Sequence, residues 1–207
     1  MMNRAELKAK AKAQIKGKIG ILFLITLIMA AVSAAATFLL GLIPYVGELI
    51  AAIVVTPAFA LSTIQIFLSV TAGNKPEVKD AFGGFNDFWA AFKVNFLTGL
   101  YTFLWSLLFV VPGIIKSFSY SMSMYVLAEN KGMSARECIK ASKAMTNGHK
   151  WELFVLDLSF FGWALLVTIT FGIASIWVLP YMHATFANVY NELKPKTAPV
   201  EEAVIAE

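Results

Sequence analysis

No charged residue stands between Lys18 and Glu48, and none between Glu48 and Lys75. Three further uncharged stretches follow, at 94–115, 117–128 and 158–182. About twenty mostly apolar residues suffice for a helix to cross the hydrocarbon core of a bilayer. Within lipid the backbone must satisfy itself, which leaves helices or closed barrels. Continuous apolar runs of this length, without strand-like alternation, confine the chain to an all-α membrane protein. Composition agrees: 58% of the 207 residues are hydrophobic and 14% are charged, where a soluble domain carries about a quarter charged.

Turn signals divide the runs into six predicted helices, at roughly 19–43, 48–72, 94–111, 113–130, 152–170 and 172–191. They pair as three hairpins, with corners at Ile43–Gly47, at Val111-Pro112-Gly113 and at Thr170-Phe171-Gly172. Counting outward from each corner sets Lys18 opposite Ala72, Lys93 opposite Gly132 and Lys150 opposite Tyr190. Each hairpin thus closes where charge resumes, so both termini fall on one side. Segments 1–18, 73–93, 129–151 and 192–207 hold every Lys and Arg except Lys116. Positive charge in short loops stays in the cytoplasm, which predicts an N-in, C-in arrangement. Lys116 lies near the outer face, where its long side chain can snorkel. Residues 1–193 read as a single membrane domain and 194–207 as a disordered tail. Ser33-Ala34-Ala35-Ala36 resembles a signal cleavage site, but the apolar run continues to Ile43, so the first helix is expected to stay uncleaved.

The inner segments carry amphipathic helices. Asn3-Arg4-Ala5-Glu6 reads as a capping box opening a helix with Leu7, Ala11 and Ile15 on one stripe and Lys8, Lys12 and Lys16 on another. Ser134-Ala135-Arg136-Glu137 opens a second, at 134–146, closed by Asn147-Gly148 with the glycine in a left-handed cap. Cys138, Ile139, Ser142 and Met145 share one side of it, and Arg136, Lys140 and Lys143 the other. Phe82, Phe85, Trp89, Phe92 and Phe96 recur at helical spacing, while Gly83-Gly84 reads as a flexible corner. Basic half-apolar helices lie in the membrane interface, and aromatic rings favour head-group depth. The expected partners are anionic lipid head groups at the cytoplasmic face, and other membrane proteins. Nucleic acid is not expected, because the basic residues flank apolar runs.

Within the runs, Asp157 lies about 9 Å past the start of the fifth helix at Trp151, and the hairpin count sets His183 level with it. Ionisable groups at membrane depth are functional candidates. The pair reads as a clamp between helices five and six in preference to a proton relay, since no third polar residue extends it. The same count sets Trp163 level with Trp177. Ser117, Ser119, Ser121 and Ser123 read as small residues for close helix packing, with the lining of a hydrated cavity as second choice. Pro57 and Pro180 interrupt helices two and six. No Walker loop, nucleophile elbow or zinc-protease motif occurs. His149 and His183 lack metal-site spacing, and Cys138 stands alone. No catalytic residue, metal or cofactor is therefore assigned.

One resemblance covers nearly the whole chain. Leu104-Trp105, Val111-Pro112-Gly113-Ile114-Ile115-Lys116 and Ser119-Tyr120-Ser121-Met122 are followed by Gly148-His149-Lys150-Trp151 and Leu156-Asp157-Leu158-Ser159-Phe160. Gly162-Trp163, Thr170-Phe171-Gly172-Ile173 and Pro180-Tyr181 complete the pattern. It resembles an uncharacterised family of bacterial integral membrane proteins, domain of unknown function 975. The resemblance implies the plasma membrane, mostly of Gram-positive bacteria, and implies no activity. The function expected is a non-enzymatic membrane scaffold or helper engaging lipid or other membrane proteins. The alternative is a small transporter or transporter subunit built on Asp157 and His183.

Overall fold

The computed structural model describes residues 3–43 and 47–194, and among them every regular element is helical. The helices are α1 (Arg4–Ile15), α2 (Ile19–Gly41), α3 (Gly47–Thr71), α4 (Phe88–Leu108), α5 (Val110–Tyr120), α6 (Ser123–Glu129), α7 (Ala135–Met145), α8 (Lys150–Leu158), α9 (Phe161–Ile169) and α10 (Ser175–Leu193). A 3₁₀ segment, Val78–Phe85, lies between α3 and α4. Three stretches are long and apolar enough to cross a membrane: Ile19–Gly41, Ile53–Thr71 and Lys150–Ile169, the last formed by α8 and α9 together. The corner predicted at 43–47 falls largely on residues outside those described, as does the predicted tail beyond Lys194.

Side-chain size is sorted against the usual order. Ala11, Ala58, Ala81, Ala91, Ala184 and Ala187 are fully buried, whereas Phe38, Leu39, Leu107 and Phe161 are 63–73% exposed. In water that surface would be an association hazard. In lipid it costs nothing, because the tails are as apolar as leucine, and close approach of small residues supplies the contact. Around this packing α2 lies against α3, α3 against α10, and α1 against α10.

The first hairpin closes near its predicted boundary, and the second is shifted. Lys18 Nζ donates to the Asn74 carbonyl at 2.8 Å, close to the predicted level. In the second hairpin the corner sits at extended Phe109, ahead of Pro112-Gly113. Pro112 instead occupies the first turn of α5, where its missing N–H would have no helical partner anyway. The facing pair moves with the corner: Asp87, in place of Lys93, meets Lys131 at 3.4 Å. Gly113 is then a contact point, since a Cβ there would stand 2.2 Å from Ser106 Oγ. The third corner holds where it was expected, with Phe171 and Gly172 both at positive φ.

Two predicted helices are broken. The fourth run divides into α5 and α6 at Ser121–Met122, and the fifth into α8 and α9 at Ser159–Phe160. Hydropathy is blind to such breaks because the residues on either side remain apolar. The aromatic stripe is likewise shared between two elements: Phe82 and Phe85 belong to the 3₁₀ segment, and Trp89, Phe92 and Phe96 to α4.

Of the two predicted capping boxes, the one on α7 is complete. Ser134 Oγ accepts from the Glu137 N–H at 3.4 Å, and the Ser134 N–H donates to Glu137 Oε2 at 2.7 Å. Those bonds hold the Glu137 carboxyl below the usual carboxylate range. The box on α1 is half formed: Asn3 Oδ1 accepts from the Glu6 N–H, but the Glu6 carboxylate pairs with Lys10 at 2.7 Å.

Gly84 is no flexible corner. Its N–H donates to Ser62 Oγ at 2.8 Å, and a Cβ there would lie 2.1 Å from the Ala58 carbonyl oxygen and 2.7 Å from the Ser62 nitrogen. The glycine lets the 3₁₀ backbone rest directly on α3. Gly84→Ala is therefore expected to lower thermal stability in detergent, by about 1–3 kcal/mol for overpacking. Gly99→Ala, where a Cβ meets nothing within 4 Å, should be neutral or slightly stabilising. Equal melting temperatures for the two variants would contradict this packing.

Candidate functional site

The break between α5 and α6 frees backbone groups that are buried away from water. The Ser119 carbonyl and the Met122 N–H both lie in fully buried residues. A single hydroxyl from α7 serves both. Ser142 Oγ accepts from the Met122 N–H at 3.2 Å and donates to the Ser119 carbonyl at 2.9 Å. Thr146 Oγ1 adds a weaker contact to the same carbonyl at 3.3 Å and closes onto the Ser142 carbonyl at 2.8 Å. Helix α7 is thus keyed into the break. Its apolar side, Cys138, Ile139 and Ser142, is buried against protein, and Arg136 and Lys143 are exposed. Burial, with the neighbouring Glu137 charge, pushes the Cys138 thiol up to about 11, so it stays neutral and unreactive.

At the break between α8 and α9 the backbone bonds stay within the chain, with the Phe160 N–H on the Asp157 carbonyl at 2.9 Å, and α1 reaches the side chains there. Lys8 Nζ donates to Ser159 Oγ at 2.6 Å and stands 4.5 Å from the Phe160 ring centroid. Ser159 Oγ in turn donates to the Leu156 carbonyl. Desolvation, then the charges of Arg4 and Lys12, hold the Lys8 ammonium below the ordinary lysine value. The predicted stripe on α1 is buried, with Leu7 at 2%, Ala11 at 0% and Ile15 at 5% exposure. Both amphipathic helices therefore spend their apolar sides on the protein, where the sequence suggested the membrane interface.

Asp157 and His183 do not meet. The buried side of α8 runs through Leu153 and Leu156 and continues to Phe160. Asp157, about 100° round the helix from Leu156, faces outward and is exposed. Phe160 packs between Tyr181 and Phe186, at centroid distances of 5.5 and 6.2 Å. Phe160 against Tyr181 agrees with the count to within one residue, so the pair is kept apart by the side of α8 that Asp157 occupies. His183 instead stacks on Phe67 at 5.1 Å. It lines a cavity of about 210 Å³ with Thr26, Ser33, Thr63 and Pro180.

Trp163 and Trp177 do share one cleft, but Lys12 and Lys16 of α1 line it as well. Lys116 sits with its ammonium 4.4 Å from the Trp105 ring centroid, a cation–π contact between α5 and α4. Of the four serines, Ser119 and Ser123 are buried and Ser117 and Ser121 are not. Ser123 Oγ has no hydrogen-bond partner among the described residues, which fits the packing role. Among the described residues, no three metal-ligating side chains gather.

A polar lock at the charged end of the bundle went unread in the sequence. Gln14 Nε2 donates to the Thr71 carbonyl at 3.1 Å and to Asn188 Oδ1 at 3.3 Å, and Asn188 Nδ2 donates back to Gln14 Oε1 at 2.6 Å. Asn191 Nδ2 donates to Thr71 Oγ1 at 3.1 Å. Beside it, buried Tyr190 donates to Glu129 Oε2 at 2.7 Å, and Lys194 Nζ donates to the other oxygen at 2.5 Å. The available signal was two asparagines, three apart, in an otherwise apolar run. Such amides in a membrane helix find partners across helices.

A family model described as "Protein of unknown function (DUF975)" matches residues 1–116 and 107–197. No curated protein and no solved structure matches the chain.

The clamp on the fourth run gives a direct test. Ser142→Ala removes the partner of the Met122 N–H and one partner of the Ser119 carbonyl. Leaving a buried polar group unsatisfied costs about 1–3 kcal/mol, so the melting temperature in detergent should fall clearly. Thr146→Val alone should cost less. The double variant should depart from additivity, since both hydroxyls serve the Ser119 carbonyl. Strict additivity with a small Ser142→Ala effect would mean that α7 does not cap the break.

Proposed function

The chain belongs to the DUF975 family of proteins of unknown function, and from that premise we propose that it is a non-enzymatic scaffold of the bacterial plasma membrane that engages anionic lipid through its cytoplasmic helices. In this reading the polypeptide crosses the bilayer six times, as three hairpins, with both termini inside. The observation that carries it is the orientation of α7: its apolar side is buried on the protein while Arg136 and Lys143 stay exposed. A helix docked this way has no apolar surface left to insert into lipid. What it offers the membrane is charge, on a helix that also completes a broken span. Lys140 lies on the same side by helical spacing. The contacts at the charged boundaries, Lys18 with Asn74, Asp87 with Lys131 and Glu129 with Lys194, support a shared level for the inner ends. Transport through an Asp157–His183 pair is disfavoured by their separation. The cavity at His183, about 210 Å³, also falls below the roughly 300 Å³ at which ligand pockets begin.

Topology is tested by single-cysteine labelling in intact cells, in a Cys138→Ala background. A cysteine at Gly47 should react with an impermeant reagent, and cysteines at Lys75, Lys140 and Lys196 should be protected. External labelling at Lys140 would reverse the orientation. Lipid engagement is tested with Arg136, Lys140 and Lys143 changed together to Gln. Each basic residue near an anionic surface contributes about 1 kcal/mol. The preference of protein-bound spin-labelled lipid for phosphatidylglycerol over phosphatidylcholine should therefore fall several-fold while the melting temperature holds. An unchanged preference would remove α7 from the account.

A further inference from the structure

Between α5 and α8 runs a groove of about 460 Å³ lined by Val111, Ile114, Ile115 and Phe118 on one side and Trp151 and Phe154 on the other. Its floor is the edge-on contact of Phe118 with Phe154, at 5.9 Å. Its volume lies within the usual range for ligand pockets, about 300–1,000 Å³. The one charged side chain in the lining is Lys150, the first residue of α8. That ammonium makes no hydrogen bond or ion pair among the described residues. Glu152, the nearest acid in sequence, is hydrogen-bonded to His149 Nδ1 at 2.9 Å. The α8 N-terminus has no side-chain cap, so its free N–H groups add positive potential beside Lys150. Trp151, 73% exposed and stacked on Phe154 at 5.3 Å, marks head-group depth.

An apolar trough with an unpaired cation at one end has the polarity of a single lipid. At 1.5 Å per residue, the seven-residue wall on α5 gives a trough on the order of 10 Å long, the scale of the upper part of one acyl chain. We propose that this groove holds one chain of an anionic phospholipid, with its phosphate on the Lys150 ammonium. The assignment rests on the proposed engagement of anionic lipid and not on the count of six crossings, which would set Val111 and Lys150 at opposite faces although both line this groove; it names a stoichiometric site separate from the basic side of α7. A phosphatidylcholine head group would bring its own ammonium beside Lys150 and is disfavoured for that reason.

The test counts phospholipid retained per chain by native mass spectrometry, after reconstitution with phosphatidylglycerol or phosphatidylcholine and mild detergent extraction. The wild-type protein should keep one phosphatidylglycerol and little phosphatidylcholine. Lys150→Gln should lower that occupancy about tenfold. Ile115→Trp, which fills the trough and leaves the charge, should do the same with an unchanged melting temperature. Changing Arg136, Lys140 and Lys143 together to Gln should leave the retained lipid in place. No retained lipid in the wild type, equal retention of the two lipids, or wild-type occupancy in both groove variants would each overturn the proposal. If the α7 variant releases the lipid and Lys150→Gln does not, the groove is refuted while the broader lipid reading stands. If no variant and no assay shows any preference for anionic lipid, both fall.

Discussion

A buried peptide group has no water to fall back on, and this fold is organised around that requirement. An unbroken helix meets it without help. The fourth and fifth runs do not remain unbroken, and a helix from outside the apolar regions docks at each interruption. Ser142 of α7 serves a donor and an acceptor at once across the first break, and Lys8 of α1 reaches the serine at the second. The amphipathic segments that look like surface ornaments are therefore components of the bundle, and their charged sides follow from that docking.

Much of the fold was legible, because the signals involved are local. Apolar run length gave α2 and α3 nearly to the residue, the Ser134–Glu137 box fixed the start of α7, and the positive-φ glycines Gly148 and Gly172 fell at predicted stops. The failures are of another kind. Counting across a hairpin assumes straight, continuous helices, and nothing in the hydropathy of Ser119–Ser123 or Leu156–Phe160 announces a break. Level alone does not decide contact: Asp157 stands on the outer side of α8, and the histidine finds Phe67 instead. The corner at Phe109 escaped for a related reason. Pro-Gly reads as a turn, yet proline is equally at home in the first turn of the following helix.

The residues that hold the site together were also the quietest in the sequence. Ser142 sits in a helix whose lysines draw the eye, and Gln14, Thr71, Asn188 and Asn191 are uncharged. Their importance comes from where the surrounding helices bring them, across as many as 174 residues of chain in the Gln14–Asn188 pair. A single sequence shows which residues are polar. It does not show which polar residues are short of a partner.

That separation bears on how the chain is made. Synthesis runs from the N-terminus, so the two clamps close at different times. Ser142 is only 20 residues behind Met122, and α7 can seal its break almost as soon as it emerges. Helix α1 precedes the other described helices, yet Ser159 is 151 residues away from Lys8 and Asn188 lies further still. It can meet Thr71 of α3 early but must wait for Ser159 and for α10 to complete its contacts, so an early segment finishes its packing late.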